Sequence, residues 1–147
     1  MTTRRQILKA AVAPMIVPSV VLGQRTGAVP PSDKITLGGI GIGSRGAHVL
    51  SKFLNIEQVK FLAICDVRNE RREEIKSIAD KKYGNSDCQM YDDQYALLAR
   101  QDIDAVLIAT AHRVVDYQQL ADWTPCIVDT RNVMAGVKVD PGKVWKA

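Results

Sequence analysis

The chain has 147 residues, enough for one domain with an ordinary core, and carries 20 Lys and Arg against 16 Asp and Glu. The excess positive charge sits in the first 25 residues (Arg4, Arg5, Lys9 and Arg25, with no acid), so the remainder balances 16 bases against 16 acids. A neutral body with 5% aromatic residues excludes a nucleic-acid footprint, which needs clustered cations, and a base-stacking platform, which needs aromatic faces.

The opening "MTTRRQILKAAVAPMIVPSVVLGQ" divides into a basic head, an apolar run from Ala10 to Leu22 and a polar exit. That run falls short of the roughly 20 residues that span a bilayer, and Pro14 and Pro18 interrupt it. An export signal over 1–25 is therefore expected, with a disordered basic tail as the alternative. The Arg4-Arg5 pair before "QILK" resembles the twin-arginine pattern, with Ile7 where Phe is commoner. Such a signal implies a periplasmic or otherwise extracytoplasmic protein of a bacterium, meeting the membrane only during export. "GAVPPSDK", with adjacent prolines, reads as a linker over 26–33, which leaves 34–147 as the folded domain.

Within that domain, "KITLGGI" (34–40) is short and apolar, as a buried strand is. "SRGAHVLSKFL" places Ala47, Leu50 and Leu54 on one helical face, flanked by Val49 and Phe53. "VKFLAICDV" (59–67) is apolar almost throughout, the pattern of a parallel strand covered on both faces. "NERREEIKSIADKKYG" predicts a charged helix capped by Asn69, burying Ile75, Ile78 and Ala79 and stopped by Gly84. "CQMY" gives a short strand, "DDQYALLARQ" a short helix opened by Asp92 or Asp93, and "IDAVLIAT" (103–110) another buried strand. "VVDYQQLAD" reads as a helix and "CIVDT" (126–130) as a last strand; from Asn132 the signals are mixed. Alternating strands and helices predict a single three-layer α/β domain, a Rossmann-like doubly wound parallel sheet of about five strands in the order 3-2-1-4-5. Cys65, Cys88 and Cys126 show neither metal nor disulfide spacing, and Cys65 and Cys126, in apolar runs, are expected in the core.

Gly41, Gly43 and Gly46 form the G-x-G-x-x-G pattern in "GIGSRG", between a strand and a helix. The first glycine permits a tight turn, the second lets backbone approach a pyrophosphate, and the third lets helix and sheet pack closely. Phosphate would lie at the helix start, beside Ser44 and Arg45, with Thr110 at the end of a neighbouring strand. Asp66, twenty residues past Gly46, ends the next strand and can accept from a ribose 2′-hydroxyl. It favours NAD over NADP, although Arg45 and Arg68 leave NADP open. The alternative is a bare strand–helix turn with Asp66 capping the following helix.

Two resemblances follow from longer stretches. "TRRQILKA", "VPSVVLG", "PSDKITLGGIGIGSRGAHVL", "FLAICDVRNERRE" and "YDDQYALLARQDIDAVLIAT" resemble the N-terminal half of exported oxidoreductases of the Gfo/Idh/MocA family, over residues 1 to about 110. That resemblance implies NAD or NADP binding here and, in the family, a second half with substrate contacts and oligomer surfaces. The family's Glu-Lys-Pro at the end of its fifth strand is missing, since this chain has "IVDTRNVM" there. From about 104 onward the sequence is similar to the closing domain of UDP-glucose and UDP-N-acetylhexosamine dehydrogenases, through "TAH", "DY", "IVDTRN" and the "WKA" ending. This second likeness implies a sugar-nucleotide contact by Arg131, at a diphosphate.

Hydride transfer also needs a substrate pocket and a proton donor or acceptor. His112 and Asp129 are the catalytic candidates, set against an exposed loop role and a turn-capping role respectively; Arg131 is set against a solvated or ion-paired one. His48 is expected on the surface of the first helix. Little chain follows Trp145, so a complete substrate site is not expected, and uncovered apolar surface would favour a homo-oligomer. Three functions stand: a nucleotide-binding domain of oxidoreductase ancestry, a sugar or UDP-sugar dehydrogenase fragment that works only on assembly, and a fused remnant without function.

Overall fold

The computed structural model describes residues 33–113 and 115–147. The expected export signal and nearly all of the linker lie outside the described residues. Six strands pair in parallel: β1 (Ile35–Ile40), β2 (Val59–Cys65), β3 (Gln89–Tyr91), β4 (Ala105–Ile108), β5 (Ile127–Asp129) and β6 (Val144–Lys146). Their order is β3-β2-β1-β4-β5-β6, the expected order with one more strand at the edge. β6 is only three residues long and follows a Pro141–Gly142 turn, too little for alternation to show in sequence.

Side chains alternate between the two faces of the strands and so build two cores. On one face α1 (Ser44–Phe53) and α2 (Asn69–Tyr83) set Leu50, Leu54, Ile75 and Ala79 against Leu37, Phe61, Ile64 and Leu107. On the other, α3 (Gln94–Leu98) and α4 (Tyr117–Trp123) set Leu97, Leu98, Leu120 and Ala121 against Ile40, Ala63, Val106 and Ile127. This is a three-layer, doubly wound Rossmann-type fold. Among the described residues no helix is long and apolar enough to cross a membrane.

Three local expectations need correction. Asn69 is the first residue of α2 and not its cap: Arg68 holds the cap position, and the turn before it is closed by Asp66 Oδ1 accepting the Arg68 N–H at 2.9 Å. Ile78 is exposed, because Ile75 and Ala79 already fill the inward stripe at i and i+4. Cys126 precedes β5 and is only half-buried, whereas Cys65 and Cys88 are buried; all three are free thiols. Asp93 caps α3 by accepting the Tyr95 N–H, and Gly84 ends α2 in the left-handed conformation.

Candidate functional site

The three glycines of the β1–α1 turn meet three different demands. Gly41 has φ +67°, a conformation strained for any residue with a Cβ, and a Cβ there would also stand 3.1 Å from His112 Nε2. At Gly43 a Cβ would meet nothing within 4 Å, so this face of the turn is open to an incoming group. At Gly46 a Cβ would come within 2.8 Å of the Ala109 Cβ, so helix and sheet approach each other more closely than a side chain permits. Behind the turn Ile42, fully buried, fastens it to the core. Its place between two glycines of the motif is the sequence signal for this anchoring role, a signal left unused above.

α1 starts at this open face. Its cap residue, Gly43, has no side chain to satisfy the first amides, and its first turn holds no acid. Ser44 and Arg45 are exposed there. Unpaired N–H groups at the positive end of a ten-residue helix form a site for an anion.

A cleft of about 240 Å³ runs alongside, lined by Gly41, Asp66, Asp93, Tyr95, His112 and Val115 among others. It lies outside the carboxyl ends of the strands where the chain reverses its order across β1, the usual ligand crevice of open α/β sheets. Asp66 reaches it directly after β2, with Oδ1 engaged by the Arg68 amide and its carbonyl accepting from Arg72 Nη1 at 2.6 Å. Arg68 itself is exposed. Thr110, after β4, donates its hydroxyl to the Gly41 carbonyl at 2.5 Å and so ties β4 to the turn. His112 lines the cleft beside Gly41 and is not simply an exposed loop residue. Its main chain is held by Tyr117, a contact the sequence reading did not foresee. Cys65 also lines the cleft, but burial, then Asp93, Asp66 and Asp92, push its thiol up to about 12, so it is protonated and unreactive near neutral pH.

The remaining candidates are placed elsewhere. Asp129 is 1% exposed, and both its oxygens are engaged: Oδ1 accepts the Arg131 N–H and Oδ2 the Met134 N–H, each at 2.9 Å. It locks the turn after β5, the capping role, and does not line the cleft. Arg131 is exposed on that turn, away from the cleft lining. His48 is exposed on α1, as expected. Among the described residues no group of three or more His, Cys, Asp or Glu could hold a metal ion.

No family model matches the chain. A glycosyl hydrolase family 109 protein of Shewanella amazonensis is 39% identical over 89 residues, covering 56% of this chain and 19% of the relative. The fold is similar to that of a myo-inositol dehydrogenase from Corynebacterium glutamicum, with a TM-score of 0.56 and 14% identity, over 66% of this chain and 28% of that one. It is likewise similar to a scyllo-inositol dehydrogenase from Lactobacillus casei, solved with NAD(H) and scyllo-inositol, with a TM-score of 0.55 and 19% identity, over 67% of this chain and 28% of that one. The chain thus spans under a third of the length of the proteins it matches, and the likeness to the two solved structures is one of fold.

Proposed function

We propose that this chain is an NAD-binding domain of oxidoreductase ancestry. The observation that carries the reading is the β1–α1 turn: a left-handed Gly41, an open face at Gly43 and a close helix approach at Gly46, all facing the helix start. These features fit a dinucleotide. The amides of Ser44 and Arg45 would hold its pyrophosphate, with Arg45 adding positive charge, and Asp66 would accept from the adenosine ribose. A carboxylate there repels a 2′-phosphate, which favours NAD over NADP. The NAD(H) in the Lactobacillus scyllo-inositol dehydrogenase supports this choice of cofactor.

When bound, the nicotinamide supplies hydride-transfer chemistry. This chain's residues bind and orient it, with His112 on the cleft wall nearest the turn and Thr110 behind it, bonded to the Gly41 carbonyl. We place the substrate among sugars or sugar nucleotides, in keeping with the two inositol dehydrogenases and the likeness of residues 104–147 to UDP-sugar dehydrogenases. Turnover on this reading requires a further domain or partner over the cleft, and export through the twin-arginine route belongs to the same reading.

Titrating the protein with NADH and NADPH by fluorescence tests it. Saturable NADH binding is expected, with NADPH about tenfold weaker, a gap that closes in Asp66→Ala. Absence of NADH saturation below millimolar would overturn the proposal in favour of a remnant.

A further inference from the structure

Between β4 and α4 the chain folds back so that one phenol brackets the main chain of one residue, touching the peptide groups on both sides of it. The His112 N–H donates to the Tyr117 hydroxyl oxygen at 2.8 Å, and that hydroxyl donates to the His112 carbonyl at 3.2 Å. The same carbonyl also accepts the Val115 N–H at 3.3 Å. Tyr117 is fixed from below, as the first residue of α4 directly after the capping Asp116, whose carboxylate accepts the Gln118 and Gln119 amides at 3.0 Å. Its ring packs against the core on that side of the sheet. The hydroxyl is therefore anchored to a rigid element, and what it holds is the backbone of a cleft residue.

His112 is held where it matters for the cleft. Its Nε2 lies 3.1 Å from where a Gly41 Cβ would stand, and Thr110, two residues earlier, is tied to the Gly41 carbonyl. The strand-end after β4 is thus tied at two points: at Thr110 to the glycine turn, and at His112 to α4.

We propose that Tyr117 is a positioning residue for dinucleotide binding: its hydroxyl fixes the His112 peptide, and so the imidazole, as the wall of the cleft beside the glycine turn. The proposal rests on the dinucleotide reading above. Tyr117→Phe keeps the ring in the core and removes only the bracket. The His112 main chain then keeps only the Val115 N–H on its carbonyl, its N–H loses its partner, and the cofactor must order the looser segment on binding.

The test uses the full chain, with NADH as the ligand, in parent, Tyr117→Phe, His112→Ala and the double variant. Tyr117→Phe is expected to weaken NADH about tenfold while leaving the urea midpoint near that of the parent. His112→Ala should weaken it by a similar factor, and the double variant should lose little more, since the two act through one group. The protein has two histidines, so ligand-free imidazole spectra resolve the effect: Tyr117→Phe should move the His112 signal and leave that of His48. Should the parent fail to bind NADH, the dinucleotide reading itself falls. If the parent binds and Tyr117→Phe binds equally well, or the two substitutions act additively, the positioning role is overturned and the reading stands. A Tyr117→Phe chain with no urea transition would make Tyr117 a fold residue and equally overturn it.

Discussion

Asp129→Ala should cost a large share of the protein's stability. The buried carboxylate accepts two backbone N–H groups at 2.9 Å and closes the turn after β5. Within that turn Asn132 is held at φ +57°, a conformation that a non-glycine residue adopts at some expense. Hydrogen bonds to a charged group contribute about 1.5–3 kcal/mol each, and the Met134 amide is left buried without an acceptor, so removal of the carboxylate should cost about 3–6 kcal/mol. Against a total stability of about 5–15 kcal/mol, that is a large share. Asp129→Asn keeps one accepting oxygen but turns an amide N–H₂ toward the second N–H, so it should lose roughly half to all of the same amount. Urea unfolding at constant m-value measures both. NADH affinity of the folded Asp129→Asn chain should stay near that of the parent, because the side chain faces the turn and not the cleft. A loss below about 1 kcal/mol in Asp129→Ala would refute the assigned role, since even one charge-assisted bond exceeds it.

Two further outcomes follow from packing and burial. Gly46→Ala places a methyl 2.8 Å from the Ala109 Cβ and 3.1 Å from Ile42 Cγ2; overpacking of about 1–3 kcal/mol should exceed the roughly 1 kcal/mol that alanine returns in helix propensity. A lower urea midpoint is expected, partly restored by Ala109→Gly, and a Gly46→Ala chain more stable than the parent would contradict the close approach. At alkaline pH, burial raises Cys65 and Cys88 to about 12 and moves Cys126 and Tyr83 in the same direction. A folded-state pKa above the unfolded one stabilises fully below the unfolded value and is lost as pH climbs toward the folded value, so the urea midpoint should fall from about pH 9 upward. Cys65→Ala with Cys88→Ala should flatten that fall; a midpoint unchanged up to about pH 11 would argue against thiols this deeply buried.

Where one physical signal dominated, the sequence could be read with little loss. Apolar runs bounded by glycine, proline and acids marked β1, β2, β4 and β5, and the alternation with helices set the sheet order through β5. Of the residues picked out by the glycine spacing and the acid after β2, the fold brings Gly41 and Asp66 to one cleft, while Gly43, Ser44, Arg45 and Gly46 are not part of its lining. What escaped was decided by tertiary contact. Asn69 has the chemistry of a cap, but the helix begins one residue earlier, with Arg68 at the cap position and its N–H bonded to Asp66. Ile78 fitted the helical period loosely, and Ile75 with Ala79 took the stripe. β6 exists because β5 offers it a free edge, which three residues cannot advertise alone. The Tyr117 bracket joins residues five apart through a side chain to backbone contact that no periodicity encodes.

The pairing of β4 links the two flanks of the cleft. Its backbone bonds to β1 on one side, Leu37 opposite Ala105 through Ile40 opposite Ile108, and to β5 on the other, Val106 opposite Ile127 through Ile108 opposite Asp129. Parallel pairing is set by backbone bonds and by side chains that are apolar on both faces, as in the fully buried β4, so the pairing itself places few demands on which apolar strand lies alongside. The crevice is less permissive. One wall carries Gly41 and Asp66, from the stretch before β4, and the other carries His112, from the stretch after it. Thr110 and Tyr117 are the groups that bring those walls into register, one through the Gly41 carbonyl and one through the His112 peptide. On the proposed reading, a chain that lost those two hydroxyls would keep its continuous sheet and lose the fixed spacing across the cleft, so the hydroxyls bear on dinucleotide binding and the strands on the fold.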